Sequence, residues 1–169
     1  KRLATSHAFH SAMMDPIVAP LGKLIGSFKL NRATLPIAST VTGAWLGAGE
    51  AADPQYWAHH ARRAVRFSDA LGTILSRGPA VLLEVGPGRT LLQLARLHPN
   101  NTALVDVVAS LPLVASGKTD GAAEIAEAAA RLWTRGVALD WRARERGAPR
   151  RVVSLPGYPF ERTKYFVEP

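Results

Sequence analysis

The chain has 169 residues, 47% hydrophobic and 20% charged, with a formal net charge of +8. That length suffices for one domain with a core of its own, and the composition excludes a disordered chain. The absence of cysteine excludes disulfides, thiolate zinc sites and a cysteine nucleophile.

In chain order, "AMMDPIVAPLGKLIGS", residues 12–27, carries apolar residues at helical spacing, with prolines that should break or kink the helix. "TLPIASTVTG", residues 34–43, is short, β-branched and closed by Gly43, so it reads as a buried strand. "DPQYWAHHARRAVRF" opens with Asp53 as N-cap and Pro54 at the first helical position. "SDALGTILSRG" reads as a second helix capped by Ser68, with Leu71, Ile74 and Leu75 on one face and Gly78 at its end. "PAVLLEVGPG" is a continuous apolar strand running into a glycine turn, followed by the helix "RTLLQLARL" and the strand "TALVDVVA". Strands that alternate with helices and are apolar along their length predict an α/β fold with a mainly parallel sheet covered on both faces.

The composition changes after about Leu113. "ASGKTDG" reads as a linker and "AAEIAEAAARLWTRG" as one amphipathic helix ending at Gly136. The closing "RRVVSLPGYPFERTKYF" holds four aromatics, two prolines and a glycine. That is too apolar for a free tail, so an extended strap is expected, with Tyr158, Phe160 and Tyr165 largely buried against the globular part. The best candidate for a membrane span, "TALVDVVASLPLVA", is broken by Asp106 and Pro112. The basic excess is spread through the chain and densest in "WRARERGAPRR", with no zinc-finger, RNP or basic-zipper pattern. It describes a solvated surface or one that meets an acidic protein partner, and no nucleic acid is expected. Lys1-Arg2 without an initiator methionine reads as a beginning in mid-domain, so a piece of something longer is expected.

Three motifs could carry chemistry. His7 and His10 stand at i,i+3, and His59 and His60 are adjacent, but neither cysteine nor an acidic cluster completes a metal site. Gly86-Pro87-Gly88 between strand and helix could hold a phosphate, yet Pro87 removes a donor, and a tight turn explains it equally well. His10 could act as a general base, since an imidazole titrates near pH 6.5 and needs a nucleophile on one nitrogen and an acceptor on the other. None of the nine serines lies in the nucleophile-elbow pattern G-x-S-x-G. A satisfied structural histidine is the competing explanation.

The motifs "TSHAFHSAMMDP", "STVTG", "DPQYWAHHARRAVRF", "LLEVGPGRTLLQL", "LWTRGVALDW" and "RRVVSLPGYPFERTKYF" together resemble, in order, the acyltransferase domain of modular type I polyketide synthases. The resemblance implies the C-terminal part of a hydrolase-like parallel-sheet acyltransferase core, residues 1–112. A post-acyltransferase linker of a helix and an extended strap then fills residues 113–169. It implies a cytoplasmic malonyl-CoA:acyl-carrier-protein transacylase, acting through an acyl-serine and working with an acyl carrier protein and a ketosynthase. No cofactor is implied beyond the acyl-CoA substrate and the carrier's phosphopantetheine. In that family His10 corresponds to the catalytic base, His60 to the position whose backbone carbonyl receives its hydrogen bond, and His7-Ala8-Phe9 to the malonyl-associated form of the box. Phe9 would fill the space an α-methyl group needs. The nucleophilic serine, on a missing N-terminal half, and the arginine that meets the substrate carboxylate are expected upstream of Lys1. Two positions depart from the pattern: Thr40, where asparagine is usual, and Phe166, where tryptophan is common. The rival expectation is a non-catalytic scaffold fragment that docks neighbouring synthase domains. Short of its first strands, such a sheet would need its other half for stability.

Overall fold

The computed structural model describes residues 6–111, 121–144, 151, 153–163, 165 and 167. Phe166 and most of the "ASGKTDG" linker lie outside the described residues. The chain divides into two compact units, Lys1–Val137 and Ala138–Pro169.

In the first unit, Ser11 caps a short 3-10 turn, Ala12–Met14, by accepting from the Met13 N–H. α1 follows at Asp15–Gly26 and stays continuous despite its prolines. Pro16 lies in the first turn, where N–H groups lack intrahelical partners anyway, so only Pro20 removes a ladder bond. Residues 34–43 do not form the expected strand. They hold one isolated antiparallel bridge, Ala38 to Trp45, and then a turn built on Ser39. The buried Ser39 hydroxyl accepts from the Val41 and Thr42 N–H groups, and its carbonyl accepts from Gly43. Side-chain capture of the backbone here outcompetes a ladder, as serine commonly does in turns.

α2, Pro54–His60, starts as expected: Asp53 Oδ1 accepts from the Gln55 N–H at 2.9 Å, and Pro54 opens the helix. α3, Phe67–Leu75, corrects the expected start, because Arg66 occupies the cap position and Ser68 lies inside the first turn. β1, Ala80–Glu84, and β2, Leu104–Ala109, pair in parallel with Val81 opposite Asp106 and Glu84 opposite Ala109. α4, Thr90–Arg96, makes the crossover between them. Val107 and Val108 point to opposite faces of β2, yet are only 6% and 0% exposed. The strand is therefore covered on both sides, the arrangement its apolar sequence predicts. Leu71 and Leu75 of α3 meet Ala95 of α4 over Ala80 and Leu82. Leu83, Leu91, Leu94 and Leu97 beside this core are exposed, an apolar surface that the described residues leave uncovered.

α5, Gly121–Thr134, docks on β2 through Asp106. One Asp106 carboxylate oxygen accepts from Arg131 at 2.6 Å and the other from Arg135 at 3.1 Å. Burial by itself would raise this carboxyl, but the Val107 N–H, the Arg135 hydrogen bond and the two arginine charges outweigh it and hold the pKa below the ordinary value. A group lowered on folding stabilises the protein above its unfolded pKa, and that stability is lost as pH falls through the folded value. Asp106→Asn should therefore cost about 1 kcal/mol at neutral pH, a figure kept low because both arginines are half exposed. Melting temperatures between pH 3 and 7 should show the variant with a flatter acid limb. Equal slopes for both proteins would refute the assignment.

In the second unit, Asp140 accepts from the Ala143 N–H at the start of α6, Trp141–Arg144. Among the described residues of this unit nothing covers Tyr158, Phe160 and Tyr165, which are 76%, 77% and 89% exposed. Tyr158 and Phe160 meet edge to face at 4.8 Å. Pro156, Gly157 and Pro159 leave residues 153–163 without helix or strand, and the Phe160 N–H donates to the Tyr158 carbonyl at 2.9 Å.

Candidate active site

The C-terminal end of α2 organises the site. The Arg62 and Arg63 N–H groups both return to the His59 carbonyl. The carbonyls of His60, Ala61 and Arg63 turn instead to His10. Its backbone N–H donates to Ala61 at 3.2 Å, while Nδ1 lies 3.2 Å from the His60 carbonyl and 2.9 Å from that of Arg63. Both neighbours of Nδ1 are acceptors, so Nδ1 carries the hydrogen and the neutral ring presents a lone pair at Nε2. His10 adopts φ +59°, a left-handed conformation uncommon outside glycine. The Ser11 hydroxyl, donating to the Ala8 carbonyl at 2.5 Å, braces the same turn. Ion pairing between Arg62 and Asp15 ties the end of α2 to α1.

An imidazole held this way can accept a proton at Nε2. The two carbonyl dipoles on Nδ1–H then stabilise the resulting cation. His60 contributes its main chain to this contact, while its ring stands edge-on to the His10 ring at 6.3 Å and meets Thr40 Oγ1 at 3.0 Å. His7 and Phe9 are exposed on the same turn with ring centroids 6.5 Å apart, and the Ser6 hydroxyl lies 2.9 Å from His7 Nδ1.

The histidines do not converge on a metal. His59 Nδ1 faces the Gln55 carbonyl of its own helix, and among the described residues no three His, Cys, Asp or Glu side chains group as ligands. The glycine turn is likewise a structural feature. The Glu84 carboxylate accepts from the Leu91 and Leu92 N–H groups, occupying the donors at the start of α4 that a phosphate would need. Gly86 and Gly88, at φ +141° and +109°, let the chain turn back for that contact.

No protein-family model matches the chain. Over its whole length it is 33% identical to a phenolphthiocerol/phthiocerol polyketide synthase protein of Mycobacterium tuberculosis, of which it spans 11%. The acyltransferase domain from the second module of the salinomycin polyketide synthase matches with a TM-score of 0.74 and 32% identity, over 92% of this chain and 35% of that one. The chain is homologous to part of a polyketide synthase acyltransferase domain. A second such domain, that of SpnD in complex with 2-(pent-4-yn-1-yl)malonyl, matches with a TM-score of 0.73 and 31% identity, over 80% of this chain and 33% of that one. The chain thus spans about a third of these solved acyltransferase domains.

Sequence reasoning passed over the Arg63 carbonyl, the shorter of the two contacts to Nδ1. A main-chain acceptor has no residue signature, and only the end of α2 could have pointed to it. It also passed over the side-chain roles of Ser39 and Tyr56, whose hydroxyls meet at 2.7 Å.

Proposed function

We propose that this chain supplies the general-base part of an acyltransferase that moves a malonyl unit from CoA to the phosphopantetheine thiol of an acyl carrier protein. The observation that carries this reading is His10 with Nδ1 directed at two carbonyls and Nε2 left as the basic nitrogen. In the first half-reaction Nε2 takes the serine proton as the oxygen attacks the thioester carbonyl. Collapse of the tetrahedral intermediate expels the CoA thiolate, which receives that proton from the imidazolium. In the second half the carrier thiol gives its proton to Nε2 and attacks the acyl-serine, and the serine oxygen recovers the proton. The serine belongs to the rest of the acyltransferase domain, since none of the nine here lies in a G-x-S-x-G elbow. The substituted malonyl held by the SpnD domain supports the acyl class.

On this reading residues 113–169 are the post-acyltransferase linker, with the ketosynthase as a neighbour and the cytoplasm as the compartment. Among the described residues no helix is long and apolar enough to cross a membrane. The exposed aromatics of residues 153–163 favour a second reading, in which this segment docks neighbouring domains. Both roles can coexist in one synthase.

The testing experiment is single-turnover acylation of the intact acyltransferase that contains this chain, with malonyl-CoA and methylmalonyl-CoA. Phe9→Ser opens space beside the base and should lower the preference for malonyl by roughly 10-fold or more, the scale of one methyl group in a pocket. His7→Ala should leave acylation with malonyl-CoA close to normal. An inactive His7→Ala enzyme, or an unaltered preference in Phe9→Ser, would count against these pocket roles.

A further inference from the structure

We infer that Thr40 is a positioning residue for His10, acting as a clamp across residues 60–66; this rests on the reading of His10 as general base. Three features of the geometry carry it. First, the carbonyls that hold His10 belong to His60, Ala61 and Arg63, in the stretch that runs from the last residue of α2 towards the start of α3. With only one helical turn's worth of its own hydrogen bonds, this segment needs an external support to keep those carbonyls aimed.

Second, Thr40 grips both ends of that segment. Its hydroxyl meets the His60 ring at Nε2, 3.0 Å away, and its backbone carbonyl accepts from the Arg66 N–H at 2.7 Å. The His60 ring has further contacts that limit its freedom, edge-on to Tyr56 at 6.5 Å and to the His10 ring at 6.3 Å, and tilted against Trp57 at 6.4 Å. Anchoring this ring restrains the backbone that carries it, and with it the carbonyl that accepts from His10 Nδ1.

Third, Thr40 is itself fixed. The Ser39 hydroxyl gathers the N–H groups of Val41 and Thr42 and meets the Tyr56 hydroxyl on α2. Thr73 of α3 donates to the Gly43 carbonyl. The turn is therefore pinned to both flanking helices, and Thr40 transmits that rigidity to the base. Thr40 touches neither the His10 ring nor a reacting atom, so its effect is on aim alone.

The test uses the intact acyltransferase and single-turnover acylation over a range of acyl-CoA concentrations. Thr40→Val keeps the shape and the backbone carbonyl but removes the hydroxyl. It should lower the maximal acylation rate about 10-fold, within the roughly 10²-fold that a 1 Å misplacement can cost, with half-saturation unchanged. Thr40→Ser should restore the rate. His60→Ala, which removes the ring Thr40 holds and its edge contact with His10, should lose at least as much as Thr40→Val, and adding Thr40→Val to it should cost no more. A normal rate for Thr40→Val, a loss that Thr40→Ser does not repair, or multiplying losses for positions 40 and 60 would each overturn the clamp. His10→Ala run alongside separates the two ideas. If that variant acylates normally, the base assignment fails; if it is slow while Thr40→Val is normal, only the clamp fails.

Discussion

Replacing His10 with alanine in the intact acyltransferase should slow acyl-serine formation by about 10²–10⁴-fold, the usual contribution of a positioned acid–base group. The fold should survive. His10 is exposed, its backbone N–H still reaches the Ala61 carbonyl, and the surrounding turn is held by Ser11 and by the Arg62–Asp15 pair. His10→Asn sharpens the test. Asparagine tolerates the left-handed backbone at φ +59° and can still donate an amide N–H toward the two carbonyls, but it offers no basic nitrogen. It should be as slow as the alanine variant and melt closer to the wild type. Acylation within 10-fold of wild type for His10→Asn would mean that His10 serves structure and that another group takes the serine proton.

Legibility from sequence followed the physics of each signal. The crossover of β1, α4 and β2 was plain because Val107 and Val108 lie in a run that is apolar at nearly every position, which a doubly covered strand requires. The start of α2 was plain because Asp53 and Pro54 act locally, through a side-chain cap and a fixed φ. Residues 34–43 misled because β-branched content measures fit to a pleated surface, whereas the deciding event was the Ser39 hydroxyl capturing the next two N–H groups. The strap was legible only in part. The count of aromatics states how much surface should be covered, but not which surface covers it.

His10 itself drew attention as a residue type, yet its chemistry depends on the carbonyls of residues 60 and 63, some fifty positions away. Nothing in an arginine at position 63 announces that its main-chain oxygen will matter. The ordered motifs compensated, because a family pattern carries long-range geometry that local periodicity lacks. Thr40 illustrates the converse: it stood out only as a departure from a pattern, and its two-sided grip on residues 60–66 is a property of the folded chain alone.

Gly43→Ala is expected to be the most destabilising single-atom change in the turn that supports this site. Gly43 is buried at φ +77°, where a side chain costs roughly 1–2 kcal/mol in backbone strain alone. A Cβ placed there would also lie 2.5 Å from the Asp69 Cβ. Neither atom can escape by rotation, since each is bonded directly to its backbone, so the turn and α3 must move apart. Overpacking of that kind costs about 1–3 kcal/mol more. The displacement would also disturb the Thr73 hydrogen bond to the Gly43 carbonyl and carry Thr40 with it. Stability and acylation rate should therefore fall together, in contrast to Thr40→Val, where the rate alone should fall. Denaturant unfolding of the intact domain should show a loss of about 2–5 kcal/mol, the sum of the two effects. A Gly43→Ala midpoint equal to that of the wild type would show that the turn can yield without loss, and the rigid support assigned to Thr40 would lose its foundation.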